Sequence, residues 1–136
     1  MNKPLHIVIL AAGEGKRMKS KRPKMLQPLG GRPMLTHLLD TVASLRPERV
    51  HVVVGAGSEA VMDACSKHDI DWVHQAERRG TGHAVMQAMP EVPDEAAVLV
   101  LLGDTPLIPA SLLEQMVEAY RGPLALLTME LEDPTG

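Results

Sequence analysis

Two hydrophobic periods alternate along the chain. Short, nearly continuous apolar runs at 6–10, 50–54 and 97–102 have the composition of strands covered on both faces, and a weaker run through Trp72 and Val73 adds another. The densest run, 97–102, is expected to be the most buried strand. Between these runs the apolar residues recur at helical spacing. Met34, Leu35, Leu38, Leu39, Val42 and Leu45 mark one helix, with Pro33 suited to its first turn and Arg46-Pro47 ending it. Residues 59–67 form a second, with Ser58 as a candidate N-cap and Ala60, Val61, Ala64 and Cys65 on one side. Gly80-Thr81-Gly82 opens a third, carrying Ala84, Val85, Ala88 and Met89 and ended by Pro90. A fourth spans 110–120, with Leu112, Leu113, Met116 and Val117 inward, and 124–131 is expected to be a last strand. Strands alternating with helices across short turns predict one α/β domain over 1–136, a doubly wound and mostly parallel sheet. Its ligands should be carried by loops at the carboxyl ends of the strands.

Composition refines this picture in a few places. Hydrophobic residues make up 45% of the chain, yet Phe is absent and Trp72 and Tyr120 are the only aromatics, so Leu, Val, Ile, Ala and Met must fill the core. The nine methionines suit gap filling better than a binding surface. A formal charge of −3 argues against nucleic-acid or anionic-membrane partners, and no apolar segment approaches the roughly 20 residues of a membrane helix. Residues 5–12 have the apolar character of a signal-peptide core, but a basic run follows where a cleavage site belongs. Cys65 is the single cysteine, which excludes an intrachain disulfide and agrees with a reducing cytoplasm.

The most informative stretch leaves the first strand. In Leu10-Ala11-Ala12-Gly13-Glu14-Gly15-Lys16-Arg17-Met18, two glycines allow backbone N–H groups to close around an anion. Lys16, Arg17, Lys19, Lys21, Arg22 and Lys24 then place six of the fourteen basic residues in nine positions of an acidic chain. Cations at a water-poor site neutralise charge on a polyphosphate, whereas a solvated basic loop would need neither the strand nor the glycines. Two common phosphate motifs are excluded. Gly15-Lys16 is followed by Arg17 rather than Ser or Thr, so this is no P-loop. Met18 stands where a dinucleotide fingerprint has its third glycine, and Val54-Gly55 ends the second strand without an acid for a ribose.

Two further constellations follow later strands. Asp104, set by Gly103 beyond the third long apolar run, is either a carboxylate for a hard cation such as Mg²⁺ or the cap of a turn. In the segment from Gln75 to Ala84, Gln75 offers both a donor and an acceptor to a base edge, and Gly80 and Gly82 permit close approach; Thr81 also suits a helix cap. Six histidines, at 6, 37, 51, 68, 74 and 83, show no metal-ligand spacing and suit structural or surface roles. No Gly-x-Ser-x-Gly elbow is present, which disfavours a serine hydrolase.

The run L-x-A-A-G-x-G-x-R-M with Pro23-Lys24 resembles the nucleotidyltransferases that join sugar phosphates to nucleotides. Q-A-E-x-x-G-T-G-H-A from Gln75, Gly103-Asp104-Thr105-Pro106-Leu107 and Glu132-Asp133-Pro134-Thr135-Gly136 narrow the resemblance to the bacterial N-acetylglucosamine-1-phosphate uridylyltransferases, from Ile7 onward. That resemblance implies a Rossmann-like, glycosyltransferase-A-like fold and Mg²⁺-dependent transfer of uridylyl from UTP to N-acetylglucosamine 1-phosphate, giving UDP-N-acetylglucosamine and pyrophosphate. It implies that Leu10, Ala11, Ala12 and Gly13 contact the nucleotide, that Lys24 lies beside its phosphates, and that Gln75, Gly80 and Thr81 read uracil. Leu102 and Gly103 would lie near the ribose, Asp104 would hold Mg²⁺, and Arg17 and Lys24 would be catalytic. Leu102 stands where the family often has an aromatic, and Lys16 where a small residue is common. The family continues past Asp-Pro-Thr-Gly, so the sugar-binding region, a second metal ligand and a β-helix acetyltransferase domain are expected beyond Gly136. On that expectation the parent is a cytoplasmic homotrimer, and the present chain is a truncated, monomeric nucleotide-binding part with weak or no turnover. Two alternatives remain open: a sibling such as a molybdenum-cofactor guanylyltransferase or another pyrophosphorylase, and a non-catalytic nucleotide-binding fragment.

Overall fold

A computed structural model describes residues 3–13, 21–133 and 135. Four strands form one parallel sheet: β1 (Leu5–Leu10), β4 (Arg49–Val54), β5 (Asp71–His74) and β6 (Ala97–Leu102), in the order β5-β4-β1-β6. Between β1 and β4 lie a one-turn 3-10 helix (Lys24–Leu26), a small antiparallel hairpin of β2 (Pro28–Leu29) and β3 (Arg32–Pro33), and helix α1 (Met34–Ala43). Helices α2 (Glu59–Ala64), α3 (Thr81–Ala88) and α4 (Ala110–Ala119) make the remaining connections.

Register explains how the faces divide. Side chains alternate along a strand, so Ile7 and Ile9 of β1 turn to one face with Val52 and Val54 of β4, where Leu35, Leu38 and Leu39 of α1, Val61 of α2 and Leu113 of α4 meet them. Val8 and Val53 turn to the other face and pack under α3 through Ala84 and Ala88, whose small side chains let the helix lie close. The chain winds outward from β1 to β4 and β5 and then returns past β1 to β6. Crossovers keep one hand, so this reversal puts α3 on the opposite face from α1 and α2. The sheet is doubly wound, as the alternation predicts, and its switch point lies between β1 and β6.

Two expectations fail. β6 is an edge of the sheet among the described strands, and its alternate residues Val100 and Leu102 remain 42% and 47% exposed; β1 and β4 are the buried strands. An unbroken apolar run gives strand propensity but does not say how many faces will be covered. Residues 124–131 pair with no other described strand, and Leu124, Leu126 and Met129 are exposed. A β pattern gives propensity but not pairing, and this segment forms no ladder with the open edges of β5 or β6. Smaller differences concern helix ends. Pro33 precedes α1 instead of opening it, α2 stops at Ala64, and Ser58 makes no side-chain capping bond.

Candidate active site

Three loops meet above the carboxyl ends of the sheet. The first leaves β1, which extends one ladder bond further where Ala11 N–H donates to the Val53 carbonyl at 2.8 Å. Parity then sends Ala11 into the core beside Ile9, while Leu10 and Ala12 face the α3 side and Gly13 follows at the rim. After the undescribed residues 14–20, the 3-10 turn brings the chain back. Met25 is buried against α1 and α2, so its neighbour Lys24 is anchored with its stem in the loop cluster.

The second loop leaves β6. Gly103 N–H donates to the Leu10 carbonyl at 2.9 Å, and a Cβ on Gly103 would stand 2.8 Å from Met25 Sδ and 3.0 Å from that carbonyl oxygen. Glycine is needed here for packing, because any side chain would push β6 off β1 or displace Met25. Asp104 follows directly, and Lys24 Nζ donates to its Oδ2 at 2.8 Å across the switch point. This pair joins residues eighty positions apart and is partly exposed, with side chains 26% and 38% accessible.

The third loop leaves β5. Gln75 N–H continues the ladder to the Val54 carbonyl at 2.8 Å, and its side chain is buried. Gln75 Nε2 lies 2.9 Å from His83 Nδ1 and 3.4 Å from the Gly80 carbonyl oxygen. Gly80, with φ +97°, sits in backbone space that side chains avoid and forms the N-cap of α3. Thr81 is therefore the first helical residue and not the cap. Gly55, at the end of β4, passes under this region; a Cβ there would come within 3.4 Å of the Ala12 carbonyl oxygen and 3.7 Å of the Arg78 guanidinium.

Together these loops enclose a cleft of about 340 Å³ lined by Leu10, Ala12, Gly13, Lys24, Met25, Gln75, Arg78, Gly80, Thr81, Ala84, Leu102 and Asp104. A contiguous recess of about 200 Å³ opens on the other side of Lys24, where Lys21, Arg22 and Arg78 gather near Gly55 and Gly57. One end of the cleft is thus an amide and two glycine-flanked backbone groups, and the other is cationic with one carboxylate. Of the residues singled out in the sequence, Ala11 lies beneath the cleft, Gly103 is packed under it, and Arg17 lies outside the described residues together with Lys16 and Lys19. Arg78, Met25 and Ala84 were not expected. Arg78 had a signal, a basic pair inside the Gln75–Ala84 segment, whereas Met25 and Ala84 looked like ordinary core residues.

Residues 7–132 match the family described as the MobA-like NTP transferase domain. The chain belongs to that family. It is 54% identical over 137 residues to the Bifunctional protein GlmU of Stenotrophomonas maltophilia, an alignment that takes in all of this chain and 30% of the relative. It is 52% identical over 136 residues to the Bifunctional protein GlmU of Alkalilimnicola ehrlichii, again over its whole length and 29% of the relative. The chain thus spans less than a third of these relatives and matches their N-terminal part. Among solved structures, Rv0371c of Mycobacterium tuberculosis superposes with a TM-score of 0.76 at 22% identity, over 88% of this chain and 61% of that one. A nucleotidyl transferase from Methanothermobacter gives 0.74 at 22%, over 88% and 58%. At this identity the likeness concerns the fold, which is that of Rossmann-like nucleotidyltransferases. No described helix is long and apolar enough to cross a membrane.

Proposed function

We propose that this chain is the nucleotide-binding part of an N-acetylglucosamine-1-phosphate uridylyltransferase. The observation that supports it most is the polarity of the cleft at the switch point, with base-reading groups at the Gln75 end and the Lys24–Asp104 pair at the other. High identity to Bifunctional protein GlmU favours this reading over a guanylyltransferase sibling. In the proposed reaction a phosphate oxygen of N-acetylglucosamine 1-phosphate attacks the α-phosphorus of UTP, the bond to the bridging oxygen breaks, and pyrophosphate leaves. The chemistry needs positioning and charge neutralisation more than a covalent intermediate.

Each residue then has a task. Leu10, Ala12 and Gly13 present the floor and backbone edge against which the nucleotide lies. Gln75, Gly80 and Thr81 read uracil, and Leu102 flanks the sugar. Ala11 and Gly103 support this surface from below. Lys24 gives its ammonium to phosphate oxygens, and Arg17 is assigned to the charge that grows on the leaving pyrophosphate. Binding UTP would exchange the Lys24–Asp104 contact for separate partners, lysine to phosphate and aspartate to the cation.

Mg²⁺ fits the residues present. No group of three or more His, Cys, Asp or Glu side chains converges among the described residues, so the site is no all-protein cage. Mg²⁺ commonly takes only one or two carboxylates and completes its shell with substrate phosphates and water. Asp104, at the cationic end of the cleft, supplies that carboxylate. When bound, the ion would spread the charge of the triphosphate and orient it.

The test is calorimetric. Trp72 packs on the α1–α2 face, away from the cleft, and is a poor reporter. Titration of the chain with UTP, CTP, GTP and ATP, with and without Mg²⁺, should show saturable and Mg²⁺-enhanced binding of UTP. Preference for GTP would move the assignment to a guanylyltransferase, and no binding of any nucleotide would overturn it. In the parent protein the same reading places the enzyme in the cytoplasm as an oligomer, with sugar-side groups outside this chain.

A further inference from the structure

We infer that His83 decides which end of the Gln75 amide is offered to the base, and so acts as the positioning residue for base choice; this rests on the nucleotide reading of the cleft. A glutamine amide has nearly the same shape in its two orientations, and sterics alone do not select one. Hydrogen-bond partners must. Gln75 is 4% exposed, so a mismatched amide would leave buried polar atoms unsatisfied, and the preference is strong.

The partners are unequal. The Gly80 carbonyl, 3.4 Å from Gln75 Nε2, can only accept a hydrogen bond. With the amide nitrogen on that side, His83 Nδ1 at 2.9 Å must accept as well, which places the ring proton of neutral His83 on Nε2. Gln87, one turn further along α3, is half-buried and has its amide nitrogen 3.3 Å from both His83 Nε2 and the His83 carbonyl oxygen; turning its oxygen to the ring gives up that carbonyl contact, whose place water can take, and accepts the ring proton. The relay from Gln75 to His83 to Gln87 commits the nitrogen of Gln75 to α3 and leaves Oε1 for a ligand.

An oxygen acceptor at this place selects a ring N–H. Uracil carries hydrogen on N3, whereas cytosine presents a lone pair at the same position and would face oxygen with oxygen-like repulsion. Were the ring proton on Nδ1 of His83, the amide would turn over and offer NH₂, which suits cytosine. Base preference is therefore linked to the tautomer of a residue that need not touch the base.

Three chains separate this from a structural role: the unaltered chain, His83→Leu and His83→Asn, in which an amide oxygen near the former Nδ1 position restores an acceptor. By calorimetry with UTP and CTP, His83→Leu should lower the UTP-over-CTP affinity ratio by roughly tenfold, while pyrophosphate, which has no base, binds as before. His83→Asn should recover most of the ratio. Equal weakening of UTP and CTP by His83→Leu, with the ratio unchanged, would overturn the inference and leave His83 as a packing residue. Independently of any ligand or variant stability, long-range ¹H–¹⁵N spectra of the unaltered chain should show Nδ1 of His83 without a proton; a proton there overturns the inference. If the unaltered chain does not prefer UTP over CTP, the uracil reading itself fails, even where the spectra show the expected tautomer.

Discussion

Both ends of the same sheet gather charged and titratable side chains, but they use them differently. At the amino end, His6 of β1, Arg49 and His51 of β4 and Asp71 of β5 lie side by side on the α3 face. His6 Nδ1 is 2.9 Å from His51 Nε2, the two rings stack at 5.2 Å, and Arg49 Nε donates to Asp71 Oδ2 at 2.8 Å. At the carboxyl end, Lys24, Asp104 and Gln75 come from loops beyond the strands. Groups fixed within strands have their spacing set by register, and here they pair with one another, leaving only His6 Nε2 and His51 Nδ1 of the cluster buried without a hydrogen bond. Groups on loops can turn toward a ligand. Cavity size does not distinguish the ends either, because a cavity of about 870 Å³ lined by Lys3, Glu48, Glu118 and Arg121 also lies at the amino end. Positive φ does not distinguish them, since Arg46 and Gly122 have it beside the amino-end cavity as Gly80 does at the carboxyl end; the difference is the close approach at Gly55 and Gly103, where a Cβ would meet the carbonyl oxygens of Ala12 and Leu10.

The sharpest way to break this comparison is to neutralise one aspartate at each end of the parent enzyme. Asp104→Asn should reduce turnover with Mg²⁺ by about 10²–10³, near 3 kcal/mol of transition-state stabilisation, with an unchanged denaturation midpoint. Asp71→Asn should do the reverse, lowering the midpoint and sparing turnover, because its carboxylate serves Arg49. Steady-state kinetics and urea denaturation of both variants decide it. Full turnover in Asp104→Asn would remove that residue from the site.

The same division explains what the sequence could reveal. Strands β1 and β4 and helices α1 and α4 were legible because their apolar periods reflect burial on this chain's own core. The edge position of β6 and the lack of pairing at 124–131 were not legible, since both depend on what lies alongside. For the site, residues directly after strand ends could be located, as at Gly13, Gln75 and Asp104, because glycine and charge interrupt apolar runs there. The Lys24–Asp104 contact joins residues eighty positions apart and leaves no local trace, and the Gln75–His83 contact, although inside one singled-out segment, depends on the turn at Gly80. The six histidines carried no metal spacing, and four find structural partners: His6 and His51 each other, His37 the Leu29 carbonyl at 2.5 Å, and His68 the Asp40 carboxylate at 3.0 Å. Of the other two, His74 is exposed and His83 is placed against the cleft glutamine.

A smaller effect should appear in the pH dependence of stability. Burial pushes the His51 pKa down; Asp71 and Glu91 oppose that shift, and His6 and Arg49 add to it. The unfolded chain therefore binds a proton at His51 that the folded chain resists. Stability is fully present above the ordinary histidine value of about 6.5 and is lost as pH falls below it. Asp40 and Asp71 are also lowered, by hydrogen bonds from His68 and Arg49 respectively, so their contribution is lost only as pH falls below the ordinary carboxylate range. Urea midpoints measured from pH 8 to pH 3 should decline in two stages. His51→Phe should flatten the upper stage and leave UTP affinity at pH 8 unchanged; an unaltered upper stage in that variant contradicts the assignment.

The smallest effect on folding is expected where the effect on function is large. Lys24 and Asp104 form a short ion pair, but both remain open to water, and such pairs contribute about 0–1 kcal/mol to stability. Lys24→Met keeps the apolar stem that packs beside Met25 and removes only the ammonium, so the urea midpoint at neutral pH should shift by less than ~1 kcal/mol equivalent. Calorimetry on the same variant should show weaker binding of UTP and of pyrophosphate alike, since the lost contact is to phosphate and not to base. A stability loss above roughly 2 kcal/mol would make the pair a brace between the β1 and β6 loops. The carboxyl end would then resemble the amino end, with its charges committed to one another instead of held in readiness for a ligand.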